Sequence, residues 1–320
     1  MIDREQGAIL PHQPVLYQEI INSLKPCSGG RYVDGTLGAG GHAWGILQAS
    51  SPDGLLLGLD VDPLAIKLAQ EHLADYGTRA IIIQSSYVML TEQIRQLGWS
   101  SVNGILLDLG VSSMQLDQTD RGFSFQTAAA LDMRFDPRNL ISAAELVNEL
   151  PEKELADIIF QYGEERHARR IAKAITYARP IQDTLHLADV VRKAPTGRRA
   201  DKSSKRPRIH PATRTFQALR IAVNKELDAL ERVLPQAAAG LSQGSRLAVI
   251  SYHSLEDRLV KVFIRRESRD CICPPRQPVC TCGHKATLVE INRKPIRPHK
   301  EEIKDNPRSR SARLRIAEKI

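Results

Sequence analysis

The sequence predicts an α/β fold, a Rossmann-like parallel sheet interrupted by an inserted all-helical domain. Three observations carry this. Four short apolar runs within residues 1–113 each end in polar or small residues, and helix-forming segments separate them. The first run leads directly into a glycine-rich turn, Gly35-Thr36-Leu37-Gly38-Ala39-Gly40-Gly41. The alternation then stops, and residues 114–211 carry helical periodicity without a convincing strand before a fifth apolar run begins.

Residues 15–24 have apolar side chains at helical spacing and precede the first strand, Arg31-Tyr32-Val33, which closes on Asp34. Glycine is needed after it because a backbone without Cβ makes the tight turn and lets a ligand lie against it. The second run, Leu55-Leu56-Leu57-Gly58-Leu59, ends in Asp60, roughly twenty residues after the glycines, where such units place a carboxylate on ribose hydroxyls. A helix should start at Pro63, a favoured first-turn position. The third run, 80–83, leads to Gln84-Ser85-Ser86-Tyr87, and residues 88–97 read as a helix. The fourth, Gly104-Ile105-Leu106-Leu107, ends in Asp108-Leu109-Gly110-Val111-Ser112-Ser113. Each acid taken alone could be a helix N-cap. Three acids, Asp34, Asp60 and Asp108, each closing a strand, point instead to ligand groups along the carboxyl edge of the sheet.

In the insert, residues 142–150, 152–162, 166–177 and 184–193 read as helices. One long helix over 213–234 should then return the chain to the sheet. The fifth strand spans 246–252, His253 follows it, and a helix covers 259–266. The late runs 287–291 and 312–316 complete the sheet edge. The organisation expected is a core from 1–113 and 212–320, with residues 114–211 as a helical substrate-recognition insert that includes a basic linker.

The chain has 320 residues and a net charge of +8, which points to a polyanionic partner more than to a membrane. A basic enzyme with no nucleic-acid partner would carry the same charge. The N-terminal stretch lacks a secretory apolar segment and no run could span a bilayer, so a cytoplasmic protein is expected. The basic residues concentrate between insert and core: Arg192, Lys193, Arg198, Arg199, Lys202, Lys205, Arg206, Arg208 and Arg214, against Asp201. Such a stretch binds phosphates by counterion release, or is a solvated linker. Arg308, Arg310, Arg313 and Arg315 form a second basic strip. Cys271-Ile272-Cys273 and Cys280-Thr281-Cys282 lie close together, with His284 nearby. In a cytoplasmic protein such a cluster reads as structural zinc ligands or as a reduced, redox-sensitive hairpin. Cys27 reads as a lone thiol.

Two ligands compete for the glycine turn. A nicotinamide cofactor would set pyrophosphate on the turn, where Asp34 would repel it. S-adenosylmethionine has no phosphate and carries a sulfonium and an ammonium, so acids at the strand ends suit it. Six stretches then converge: 34–42, Leu106-Leu107-Asp108-Leu109-Gly110-Val111-Ser112-Ser113, Arg121-Gly122-Phe123-Ser124-Phe125, Tyr162-Gly163-Glu164-Glu165-Arg166, His210-Pro211-Ala212-Thr213-Arg214-Thr215-Phe216-Gln217 and Ser254-Leu255-Glu256-Asp257-Arg258. Together they resemble the bacterial RsmH (MraW) family of 16S ribosomal RNA cytosine-N(4) methyltransferases, over nearly the whole chain.

The resemblance implies a class I S-adenosylmethionine-dependent methyltransferase core. It implies methylation of a cytidine N(4) amine in the decoding centre, with 16S rRNA or the small ribosomal subunit as partner. Carried over by motif, the cofactor positions are Gly40, Gly41, His42, Asp60, Tyr87, Asp108 and Gln115, with no metal at the active site. The family often has Phe where this chain has Tyr87 and Pro where it has Met114. Some members lack the four clustered cysteines, so catalysis should not need them. Asp108 is the candidate acceptor for the amine hydrogens, or it binds cofactor alone. His253 is the other candidate base, or a structural histidine. The residues also admit methylation of another nucleic acid, or a non-catalytic RNA-binding assembly factor.

Overall fold

A computed structural model of the chain describes residues 14–195, 210–277 and 279–320. Two compact units emerge: residues up to 110 together with 228–320, and residues 111–227. The first holds a seven-stranded sheet of β1 (Arg31–Asp34), β2 (Leu55–Asp60), β3 (Ala80–Gln84), β4 (Val102–Asp108), β5 (Leu241–Ser251), β6 (Leu288–Glu290) and β7 (Arg313–Lys319). The order is β3-β2-β1-β4-β5-β7-β6. Strands β1 to β5 pair in parallel, and β7 runs antiparallel to both β5 and β6. This is the Rossmann-like fold with a helical insert that the sequence predicts.

The apolar runs are continuous because both faces of the sheet are covered. Successive side chains point to opposite faces. Val33, Leu57, Ile105, Leu107 and Val249 enter one core with the helices Leu90–Gln96, Glu226–Gly240 and Ser254–Glu267. Tyr32, Leu56, Leu106, Ala248 and Ile250 enter the other with the helices Tyr17–Leu24, Gly41–Ala49 and Pro63–His72. A fully buried Leu in such a layer contributes roughly 1.5–3 kcal/mol by transfer from water.

The second unit has its own core, built from the helices Ala143–Glu149, Glu152–Gly163, Ala168–Tyr177, Thr184–Lys193 and Thr213–Asn224. Three of the stretches that carry the family resemblance hold one another here. Arg121 donates to the carbonyls of Arg134 (2.7 Å) and Phe135 (3.0 Å). Phe125 stacks on His210 and meets Phe216 edge-on. Gln217 donates to the carbonyl of Tyr162 at 3.0 Å. A Cβ on Gly163 would lie 2.6 Å from the Arg214 carbonyl oxygen, so only glycine lets the two segments approach.

The sequence boundaries at 113 and 211 differ from the compact units by one helix. Helical periodicity runs unbroken over 213–234, yet the structure has Thr213–Asn224 and Glu226–Gly240 with Lys225 in the left-handed region (φ 50°) between them. The Asn224 side chain accepts from the Phe135 amide (2.7 Å) and donates to the Met133 carbonyl (2.8 Å). Those bonds tie Thr213–Asn224 to the helical unit, and only the helix after it packs on the sheet. The helix expected over 259–266 also starts earlier, at Ser254, because His253 caps it.

Two readings of basic residues change. Arg192 and Lys193 both pair with Asp189, and Arg214 lies 3.5 Å from the buried Glu165. Arg315 is buried and held by Asp257 at 2.6 Å, with Arg313 3.5 Å from the same acid, so these two brace the sheet edge rather than form an open strip. Arg198, Arg199, Lys202, Lys205, Arg206 and Arg208 lie outside the described residues. No helix among the described residues is long and apolar enough to cross a membrane.

Candidate functional site

The strand order reverses between β1 and β4, and the carboxyl edge at such a reversal is where open α/β sheets bind ligands. The register brings the strand-end acids to that edge: Asp34 pairs with Gly58 of β2 and Leu106 of β4, Asp60 with Gln84, and Asp108 with Ile250.

The glycine turn is fastened to both neighbouring strands. The Gly35 amide donates to the Leu106 carbonyl and the Leu37 amide to the Leu59 carbonyl, each at 2.9 Å. The Gly38 amide donates to Asp60 Oδ2 at 2.9 Å, and the Asp62 amide to Asp60 Oδ1 at 2.9 Å. Gly38 and Gly40 have φ of +52° and +83°, the left-handed region that side chains disfavour. Gly41 begins the helix Gly41–Ala49, and a Cβ there would lie 2.5 Å from Pro14 Cγ. The turn is thus a fixed backbone cradle ending at a helix N-terminus with no side-chain cap among the described residues.

His42, in the first turn of that helix, is buried, and neither ring nitrogen has a hydrogen-bond partner among the described residues. Its Nε2 lies 3.5 Å from Asp108 Oδ2. The Asp108 amide donates to the Thr36 hydroxyl at 2.6 Å, and the Tyr252 hydroxyl donates to Asp108 Oδ1 at 2.9 Å. Burial, then the neighbouring Asp108 charge, holds the Tyr252 phenol well above its ordinary pKa, so it remains a donor. Tyr87 lies past β3, and its Cβ sits 3.3 Å from where a Gly35 Cβ would be.

Asp34 is almost wholly buried. Burial pushes its carboxyl up to about 6; His42 and the Thr36 amide oppose the shift, and Asp108 and Asp60 reinforce it. Burial likewise raises Asp60 above the usual carboxylate value, against the amides of Asp62 and Gly38. A buried acid with a raised pKa is costly when ionised, and stability falls as pH rises from its unfolded value through the folded one. Asp34→Asn removes that cost. The ligand-free variant is therefore expected to be more stable than the parent above about pH 6, by up to about 3 kcal/mol, with the difference vanishing near pH 4. Denaturant melts at both pH values check this. Equal stability at high pH would mean that Asp34 is not strained by its surroundings.

Gly40, Gly41, His42, Asp60, Tyr87 and Asp108, chosen from the sequence, all lie on or beside this one edge. Gln115 belongs to the helical unit, where it forms a capping box with Ser112: the Ser112 amide donates to its Oε1 at 3.0 Å. His253 is buried as the N-cap of Ser254–Glu267, its Nδ1 accepting from the Glu256 amide at 3.4 Å. The Glu256 carboxylate accepts from the His253 amide at 3.3 Å in return, and from the Tyr252 amide at 2.8 Å. That engagement gives His253 Nδ1 a structural task, while its buried Nε2 lies 3.2 Å from Glu256 Oε1. Thr36 and Tyr252, which grip Asp108, were missed. Tyr252 stands beside His253 at the end of an expected strand, but nothing in the sequence shows that it reaches across to β4.

The chemistry of this edge is a cation-friendly one: three carboxylates, a glycine cradle and a buried imidazole. A model of the MraW methylase family matches residues 9–320. A ribosomal RNA small subunit methyltransferase H from Dehalococcoides mccartyi is 52% identical over 310 residues, covering 97% of this chain and 87% of the relative. Its namesake from Heliobacterium mobile is 47% identical, covering 97% and 99% of the two chains. Among solved structures, a rRNA methylase from Streptococcus thermophilus aligns over 95% of this chain and 93% of its own, at 10% identity and a TM-score of 0.42.

Proposed function

The chain belongs to the MraW methylase family, and from that premise we propose that it transfers the methyl group of S-adenosylmethionine to the exocyclic N(4) amine of a cytidine in the decoding centre of 16S rRNA. The observation that carries the reading is the convergence of Asp34, Asp60 and Asp108 with the buried His42 around a glycine cradle at the strand-order reversal. S-adenosylmethionine supplies a methyl carbon already activated by its sulfonium, so positioning dominates the remaining barrier. The residues fit it: a buried imidazole whose nitrogens make no hydrogen bond among the described residues, a turn in which Gly35 and Gly41 leave no room for a Cβ, and acids where its positive end would lie.

Asp60 holds the ribose hydroxyls, anchored by the amides of Gly38 and Asp62. Tyr87 lies against the adenine, where an aromatic ring of either type can stack. Asp108, fixed by Thr36 and Tyr252, accepts a hydrogen of the cytosine amine. The amine is conjugated with its ring, and an acceptor there frees the nitrogen lone pair as the new bond forms. The target base must be unpaired or extruded to reach these groups. The helical unit and the basic stretch around it hold RNA phosphates, and such a substrate places the protein in the cytoplasm. Zinc on Cys271, Cys273, Cys280 and Cys282 is not required for any of these steps.

Incubation with labelled S-adenosylmethionine should transfer label to small ribosomal subunits or 16S rRNA. Cofactor binding without transfer to either would favour a non-catalytic assembly factor. Asp60→Ala should weaken S-adenosylmethionine binding by about 1.5–3 kcal/mol, the range for a hydrogen bond to a charged group. Calorimetry showing unchanged affinity in the folded variant would remove Asp60 from the site.

A further inference from the structure

The four cysteines of the loop between Ser254–Glu267 and β6 stand apart from the site. β6 runs antiparallel to β7, which runs antiparallel to β5, so β6 starts at the sheet edge opposite Asp34, Asp60 and Asp108. The loop that feeds it lies at that far edge. Its root is bonded: the Thr287 amide donates to the Glu267 carbonyl at 2.8 Å, and the Ala286 amide to Asp270 at 3.2 Å. Its tip has no apolar core, with Ile272 and Val279 both exposed.

Yet four sulfurs converge there. Cys280 and Cys282 Sγ are 3.6 Å apart, Cys282 and Cys271 3.9 Å, and Cys273 and Cys280 4.0 Å. All four lie within 4.8 Å of one another. None is in a disulfide, which would need sulfurs at about 2.0 Å. A tetrahedral site with Zn–S bonds of about 2.3 Å has sulfur–sulfur edges of about 3.8 Å. These three separations bracket that value, and the remaining ones lie within 4.8 Å. The Ile272 amide also donates to Cys282 Sγ at 3.4 Å, a bond that favours thiolate over thiol.

We propose that Cys271, Cys273, Cys280 and Cys282 together bind one zinc ion, clipping the loop that delivers the chain to edge strand β6. Four thiolates close the coordination sphere and leave no position for substrate, which makes the site structural. Each ligand loses its thiol proton to solvent as the metal binds, and the complex carries a charge of −2. Arg269, Arg276 and Lys285, in the same stretch of sequence, offset it. The clip compensates for a tip without packing and steadies a strand that pairs over only three residues.

The test uses the full chain purified under reducing conditions. Metal analysis should find about one zinc per chain, as a closed four-ligand site requires. With zinc bound, only Cys27 should react rapidly with a thiol reagent; after chelation all five cysteines should react. Cobalt(II) added to the chelated protein should give the intense visible bands of a tetrahedral thiolate complex, and Cys273→Ser with Cys280→Ser should abolish them. Chelation should also speed amide exchange in β6. Should the double variant fail to fold, the cobalt spectrum of the parent decides alone. Reduced protein that takes up no metal, a six-coordinate cobalt spectrum, or iron in place of zinc would overturn the proposal.

Discussion

Asp108→Asn is expected to fold, to bind S-adenosylmethionine within a few-fold of the parent, and to lose methyl transfer by about 10²–10³-fold in kcat, the usual cost of removing one preorganised electrostatic contact. The change keeps shape and removes charge. The Thr36 and Tyr252 bonds reach the Asp108 amide and Oδ1, so an amide side chain can still be held in place. What it cannot do is stabilise the positive charge that grows on the cytosine amine. The split between kinetic constants separates the two roles considered for this residue. A variant with normal kcat and a raised KM for S-adenosylmethionine would show that Asp108 binds cofactor only. Tyr252→Phe should follow Asp108→Asn in direction with a smaller loss, since it loosens the carboxylate without removing it.

The second large effect belongs to the basic stretch. Replacing Arg198, Arg199, Lys205 and Arg206 together with serine should weaken RNA binding strongly and leave cofactor affinity unchanged. If each reaches one phosphate of a single strand, the slope of log affinity against log salt should fall by roughly 0.7 per residue, or about 3 in all. Three other basic residues of the stretch are less available for phosphates. Arg192, Lys193 and Arg214 are already committed to Asp189 and Glu165. A merely solvated linker predicts no change in salt slope. Loss of cofactor affinity with RNA affinity intact would reverse the assignment of roles.

The sheet was legible because most of its strands are covered on both faces and therefore read as unbroken apolar runs, three of them (β1, β2 and β4) stopped by an acid. The same feature exposed Asp34, Asp60 and Asp108, and the glycines marked the turn between them. What could not be read depends on contacts distant in sequence. Tyr252 meets Asp108 only because β5 pairs beside β4 after the whole insert has intervened. The break at Lys225 is invisible to periodicity, since Asn224 is fixed by backbone groups of residues 133 and 135. Arg315 looked like part of a basic strip because the alternation of β7 does not reveal that Asp257 waits on its face. His253 stayed open between base and structural histidine because a capping histidine and a catalytic one both follow strands. The cysteine spacing showed a cluster, but only the folded loop shows sulfurs at tetrahedral separations.

The account turns on which atom of which base receives the methyl group. Small ribosomal subunits labelled by the protein can be digested to nucleosides and the labelled nucleoside identified by mass spectrometry against authentic standards. The expected product is N(4)-methylcytidine from 16S rRNA, with the label lost when Asp108→Asn replaces the parent. Label found instead in 5-methylcytidine, in a ribose 2′-O-methyl group or in an adenosine would contradict the proposed acceptor chemistry at Asp108.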